Sequence, residues 1–208
     1  MKNAGTAFSG HHEKSAAVLA LTRSGSLAIG VATFSLLTWW GARLAVPLPG
    51  TPVPGTLQTL PVLMAGLFLG PGPGCLSQAI YLALGLGGLP VFALPGAGPA
   101  YLIGPTGGYL IGFVATPWVV GLAAGRRGGA GTGRRLGALL VGLFVLHACG
   151  FAGLLPYVSG NAGAALRAGF LPFALFDLAK VVGALALHAG WLALGRRIDS
   201  GWRSGSRS

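Results

Sequence analysis

Between Lys14 and Asp177 the chain carries no carboxylate at all; Glu13, Asp177 and Asp199 are its three acids. A water-soluble domain of ordinary composition has about 25% charged residues, because its surface must meet water. Here 8% are charged and 53% hydrophobic, and the apolar residues fall in long runs, not short alternating ones. Such a chain cannot cover itself with a polar surface. It is expected to be an all-α, polytopic membrane domain.

The formal charge of +11 would suit a nucleic-acid binder only if Lys and Arg were interleaved with aromatics on a solvated face. The arginines instead stand in pairs between apolar runs, Arg126 and Arg127, Arg134 and Arg135, Arg196 and Arg197. Anionic lipid head groups are the expected partner, and no nucleic acid. Cys75 and Cys149 stand alone, without Cys-x-x-Cys spacing, so neither a disulfide framework nor a metal site is expected. His11 and His12 lie in a polar N-terminal stretch.

Residues 1–25 read as a polar cytoplasmic tail without order, 26–195 as a six-helix membrane domain, and 196–208 as a basic cytoplasmic tail. The first span, SLAIGVATFSLLTWWGARLAV (26–46), has about the 20 residues needed to cross. Trp39 and Trp40 suit an interfacial belt, with Arg43 snorkelling to the head groups. PLPGTPVPG (47–55) can only be a stiff loop. A short second helix covers 56–70 with Pro61 inside it, PGPG (71–74) reads as a tight turn, and a third helix covers 75–94. PGAGPAYLIGPT (95–106) is a second loop, followed by a helix over 107–125 with Pro117 as a kink. A basic loop covers 126–135, the fifth helix 136–158, a Gly/Asn-containing loop 159–169, and the sixth helix 170–195. With both termini inside, the segments carrying Lys2, Lys14, Arg23, the two central arginine pairs and the C-terminal pair all face the cytoplasm, in accord with the positive-inside rule. The loops at 47–55, 95–106 and 159–169 then lie outside.

In LPFALFDLAK (171–180), Asp177 and Lys180 are three positions apart and so share one helix face. At about 1.5 Å per residue they sit roughly 10–15 Å below the outer face. Two readings are open: a self-neutralising ion pair or polar glue between helices, or a ligand site in a cavity beneath the outer loops, the usual role of an ionisable residue inside a membrane. Phe170, Phe173 and Phe176 would supply apolar wall. Gln58 and Thr59, Tyr81 and Tyr109 lie at similar depth. His147 and His188 are single histidines on apolar helices and read as packing residues.

Four blocks, TPVPGTLQTL (51–60), YLALGLGGLPVF (81–92), GPTGGYLIGF (104–113) and FDLAK (176–180), together resemble the BioY family, the biotin-binding S components of energy-coupling-factor transporters. The resemblance implies a six-helix bundle in a bacterial or archaeal cell membrane, with an outward-facing pocket capped by loops. It implies that Asp177 and Lys180 contact the ureido ring and the valerate carboxylate of biotin. The expected substrate-binding set is completed by Gln58, Tyr81, Phe92, Tyr109 and Phe173. It further implies docking on a transmembrane coupling protein through small residues of the first helix, Ala28 and Ala32 with Gly30 beside them, and two cytoplasmic ATPase partners. The stretch ALPGAGPAYLIG (93–104) departs from the family in having neither the Asn nor the Arg that this region can offer a ligand, so main-chain groups or Tyr101 must substitute.

No cofactor, metal or catalytic group is expected. GPTGG lacks the lysine of a phosphate loop, and a single intramembrane acid cannot form a carboxylate dyad. The chain therefore reads as a binding subunit for biotin uptake and not as an enzyme. The alternative is a stand-alone, proton-coupled transporter of a small carboxylated metabolite using Asp177 as its proton site, though no internal repeat supports it.

Overall fold

In the computed structural model the backbone is described for residues 5–125 and 131–205, and side chains for 24–125, 131–198 and 200. The described residues form helices α1 (Gly5–Arg43), α2 (Thr59–Leu69), α3 (Pro71–Leu86), α4 (Pro99–Leu102), α5 (Gly107–Ala124), α6 (Thr132–Leu154), α7 (Ala162–Gly169) and α8 (Leu171–Gly205), with a 3-10 turn at Leu155–Val158 after α6. Among them there is no strand, only one isolated bridge between Val46 and Gly55.

Four helical stretches are long and apolar enough to cross a membrane: Ser24–Arg43, Gly107–Ala124, Thr132–Val158 and Leu171–Ile198. Their outer faces are apolar, with Ile29 70%, Phe144 72% and Leu175 77% exposed, as lipid contact requires. The fold is an all-helical, multi-pass membrane bundle. Of the six expected spans, α2 and α3 fall short, at 11 and 16 residues. The reason for α2 is its position: it packs against α1, α3, α5, α6 and α8, and its sequence TLPVLMAGLFL is apolar on every side, as suits a helix enclosed by others.

Several boundaries differ from expectation. α1 begins at Gly5, not near Ser26, because residues 5–25 contain no proline and continue the helix; the side chains of His11, His12, Glu13, Lys14 and Arg23 lie outside the described residues, as do Lys2 and the Arg126 and Arg127 pair. PGPG is no turn but the first turn of α3. Proline is tolerated there because those N–H groups have no intrahelical partner, and the chain reverses one residue earlier at Gly70, whose φ of 84° only glycine adopts readily. α3 stops at Leu86, before Gly87, Gly88 and Pro90, eight residues earlier than the expected 94. The 159–169 loop contains α7, capped by the Asn161 side chain accepting from the Ala164 amide at 3.0 Å. α8 continues through the arginine pair to Gly205, so the expected tail at 196 is no structural boundary.

Two details fix the upper half of the bundle. Val46 and Gly55 exchange main-chain hydrogen bonds of 2.8 and 2.9 Å, which closes the proline-rich α1–α2 loop into a rigid flap. Arg43 does not snorkel freely: it donates to the Pro90 carbonyl at 2.9 Å and lies over the Trp39 ring at 5.3 Å, tying the end of α1 to the α3–α4 loop. At the same end of the bundle begins the contact of α5 with α6, the most extensive helix pair. They cross at Gly108 and Gly153, where a Cβ on Gly108 would meet the Cys149 carbonyl oxygen at 2.3 Å.

Candidate ligand-binding site

The site begins with the register of α8. Leu175, Phe176 and Leu178 point outward, while Phe173, Asp177, Val181, Ala184 and His188 are buried at spacings of four, four, three and four, the inward stripe of an α-helix. Asp177 is 2% exposed, so its carboxylate faces protein, not acyl chains. Phe176, expected as pocket wall, is 63% exposed and faces away, since it is adjacent to Asp177 and lies about a hundred degrees round the helix.

Asp177 is held on both oxygens. Lys180 Nζ donates to Oδ1 at 2.7 Å, and His147 Nε2 lies 2.9 Å from Oδ2. Lys180 also donates to the Thr56 carbonyl at 2.6 Å, so the ammonium bridges α8 and the proline-rich loop. A buried charge pair of this kind is tolerable only with such full pairing. His147 is therefore not the isolated packing residue expected; α6 carries it across the bundle to the acid, with Phe170 edge-on at 5.0 Å and Tyr109 at 6.2 Å between ring centroids. Neither His147 nor Thr56 was legible as a site residue: one pairs across helices and the other acts through its main chain.

Beside this triad lies a cavity with about 530 Å³ of atom-free space including its mouth. The proline-rich loop contributes Val53, Pro54 and Thr56. Ala93, Tyr101 and Thr106 come from the α3–α5 connection, Tyr109, Leu110 and Phe113 from α5, Leu146 and His147 from α6, and Phe173, Asp177 and Lys180 from α8; Gln58 and Thr59 complete it at the start of α2. Among the expected residues, Asp177, Lys180, Gln58, Tyr109 and Phe173 thus share one cavity wall.

Tyr81 and Phe92 stand behind that wall. Tyr81 is 1% exposed; its hydroxyl accepts from Gln58 Nε2 at 2.7 Å and donates to the Val91 carbonyl at 3.0 Å, so it aims Gln58. Phe92 stacks on Tyr101 at 4.9 Å and meets Tyr81 edge-on at 5.7 Å, backing the tyrosine that does line the cavity. Tyr101 donates to the Ala93 carbonyl at 3.0 Å, and burial pushes its phenol up, keeping it a neutral donor. Tyr109 presents its ring to the cavity while its hydroxyl donates to the Gly169 carbonyl.

The expected docking residues separate. Ala28 and Ala32 are exposed on α1, but Gly30 faces inward, where a Cβ would meet Leu69 Cδ2 at 2.6 Å. One turn of helix places residues 28 and 32 on one face and 30 on the other.

A buried ionic cluster at the edge of a cavity, roofed by stiff loops in a multi-pass bundle, defines a membrane protein built to hold a small polar molecule. The chain belongs to the BioY family, whose sequence model matches residues 13–197. It is 41% identical over 157 residues to the probable biotin transporter BioY of Pyrococcus horikoshii, covering 76% of this chain and 90% of that one. It is 40% identical over 149 residues to the biotin transporter BioY of Thermotoga maritima, covering 72% and 85%. The fold matches the crystal structure of the S-component for biotin from an ECF-type ABC transporter with a TM-score of 0.72 and 26% identity, over 80% of this chain and 90% of that one.

Proposed function

We propose that this chain is the biotin-binding membrane subunit of an energy-coupling-factor importer, taking the vitamin from the outer face. The single observation that carries the reading beyond family membership is the Asp177–Lys180 unit at the wall of the cavity. A cyclic urea presents N–H donors and a carbonyl acceptor side by side. Each carboxylate oxygen can accept more than one hydrogen bond and an ammonium has three donors; beyond the contacts already made, Asp177 can still accept from a ureido N–H and Lys180 can still donate to the ureido oxygen. Val53, Leu110, Phe113, Leu146 and Phe173 supply apolar wall for the ring sulfur and methylenes. Gln58, aimed by Tyr81, and Tyr101 are further polar contacts for the ligand.

This division of labour differs from the one the resemblance implied, in which Lys180 meets the valerate carboxylate. Because Lys180 Nζ is bonded to Asp177 and to Thr56, the acid and lysine act as one unit toward the ring.

Binding alone does not move a solute against a gradient. The sequence holds no phosphate-loop motif, so ATP hydrolysis would come from two cytoplasmic ATPases acting through a transmembrane coupling protein, with the exposed Ala28 and Ala32 face of α1 as the docking surface. With both termini inside, the roofing loops face outward and the protein resides in the cell membrane. It performs no chemistry on its ligand and requires no cofactor.

The contact between His147 and Asp177 is the one feature that favours a proton-coupled transporter instead. Uptake of labelled biotin by cells producing the chain separates the two: dependence on co-produced coupling protein and ATPases, with indifference to a protonophore, is expected. Uptake by the chain alone that collapses with the proton gradient would favour the alternative.

A further inference from the structure

The charge ledger of the cavity has a consequence for which ligands it accepts. Among the described residues, its titratable lining consists of Asp177, Lys180, His147, Tyr101 and Tyr109. Lys180 is the one permanent cation among them, and it is already shared between the Asp177 carboxylate and the Thr56 carbonyl at 2.7 and 2.6 Å. Arg43 is turned to the Pro90 carbonyl and the Trp39 ring and does not line the cavity. Arg167, at the end of α7, is exposed and does not line it either. A ligand carboxylate brought fully inside would thus compete with Asp177 for one ammonium, two anions against one cation. Taking an ion out of water without its own counter-charge is strongly unfavourable.

We infer that this chain recognises the uncharged ring of its ligand and leaves the acid end without an ionic partner, so that uncharged amides and esters of biotin belong to its substrate class alongside the free acid. The inference rests on the biotin reading above. A second space offers the tail a place to go. An apolar groove lined by Val46, Leu48, Leu57 and Phe176 adjoins the cavity at Thr56, Phe173 and Lys180, the residues the two spaces share. A chain of methylenes ending in an uncharged group fits that lining, and a hydrated carboxylate can remain at its mouth.

The test is competition against labelled biotin on the purified full-length protein, using unlabelled biotin, biotin methyl ester and biotin amide at several pH values. The ester and the amide are expected to bind within about threefold of the acid, with no difference in pH dependence between pH 6 and 8. A loss greater than about tenfold for both derivatives overturns the inference while leaving biotin binding, and hence the functional reading, intact. So does an affinity that falls for the acid alone as the pH is raised from 6 to 8, since a group cationic at the lower pH would then be pairing with the ligand carboxylate. Failure of biotin itself to bind removes the functional reading, and this inference with it.

Discussion

His147 Nε2 and Asp177 Oδ2 lie 2.9 Å apart, on helices joined only through α7 and two short connections. The contact leaves Oδ1 to Lys180 and fixes the plane of the carboxylate. It links α6 to α8 inside the membrane, where few polar alternatives exist for either group.

Removing the imidazole should therefore disturb the ligand through Asp177. His147→Phe is expected to weaken biotin binding by about tenfold or more, in line with the 1.5–3 kcal/mol typical of a hydrogen bond to a charged group. His147→Gln, which keeps a donor, should stay within about threefold. Equilibrium binding with each variant in the Asp177 and Asp177→Asn backgrounds checks this: the two positions should be strongly non-additive.

Tyr81 is predicted to act at one remove. In Tyr81→Phe, the Gln58 amide and the Val91 carbonyl both lose a partner inside the protein, a loss of about 1–3 kcal/mol. Affinity should fall several-fold. In Gln58→Ala the same Tyr81→Phe change should have almost no further effect on binding, and equal effects in both backgrounds would contradict the positioning role.

Tyr109 divides differently, because its ring lines the cavity while its hydroxyl is spent on the Gly169 carbonyl at the α7–α8 junction. Tyr109→Phe should lower the thermal unfolding midpoint but change biotin affinity by less than about threefold. Tyr109→Ala removes the wall as well and should reduce both.

At the α5–α6 crossing, Gly108→Val should abolish accumulation of folded protein. The added side chain has no room beside the Cys149 carbonyl and the Gly153 main chain, with the first contact at 2.3 Å and backbone unable to give way. Size-exclusion chromatography of a fluorescent fusion reports this directly. Gly137→Ala on α6, where no atom lies within 4 Å of the added carbon, is the matched control and should behave as the native chain.

What could be read from the amino-acid order alone was local or compositional. The membrane class followed from missing carboxylates, and the shared face of Asp177 and Lys180 from their separation of three. Three-dimensional pairing was not accessible in that way. His147 looked inert because its partner is thirty positions away on another helix. Position along the chain does not reveal which layer Tyr81 and Phe92 occupy, and that layer is set by Gln58 and Tyr101 standing in front of them. The starts of α3 and α7 do carry local signals in the sequence: proline at the first helical positions, and Asn161 ahead of an alanine-rich run.

Whether Asp177 and Lys180 act as one ring-reading unit, as proposed above, is decided by the dissociation constant of labelled biotin for the purified native chain, Asp177→Asn and Lys180→Ala, each confirmed folded by its unfolding midpoint. At least a tenfold loss is expected in both, about 1.4 kcal/mol or more. Native-like affinity in both folded variants would contradict it.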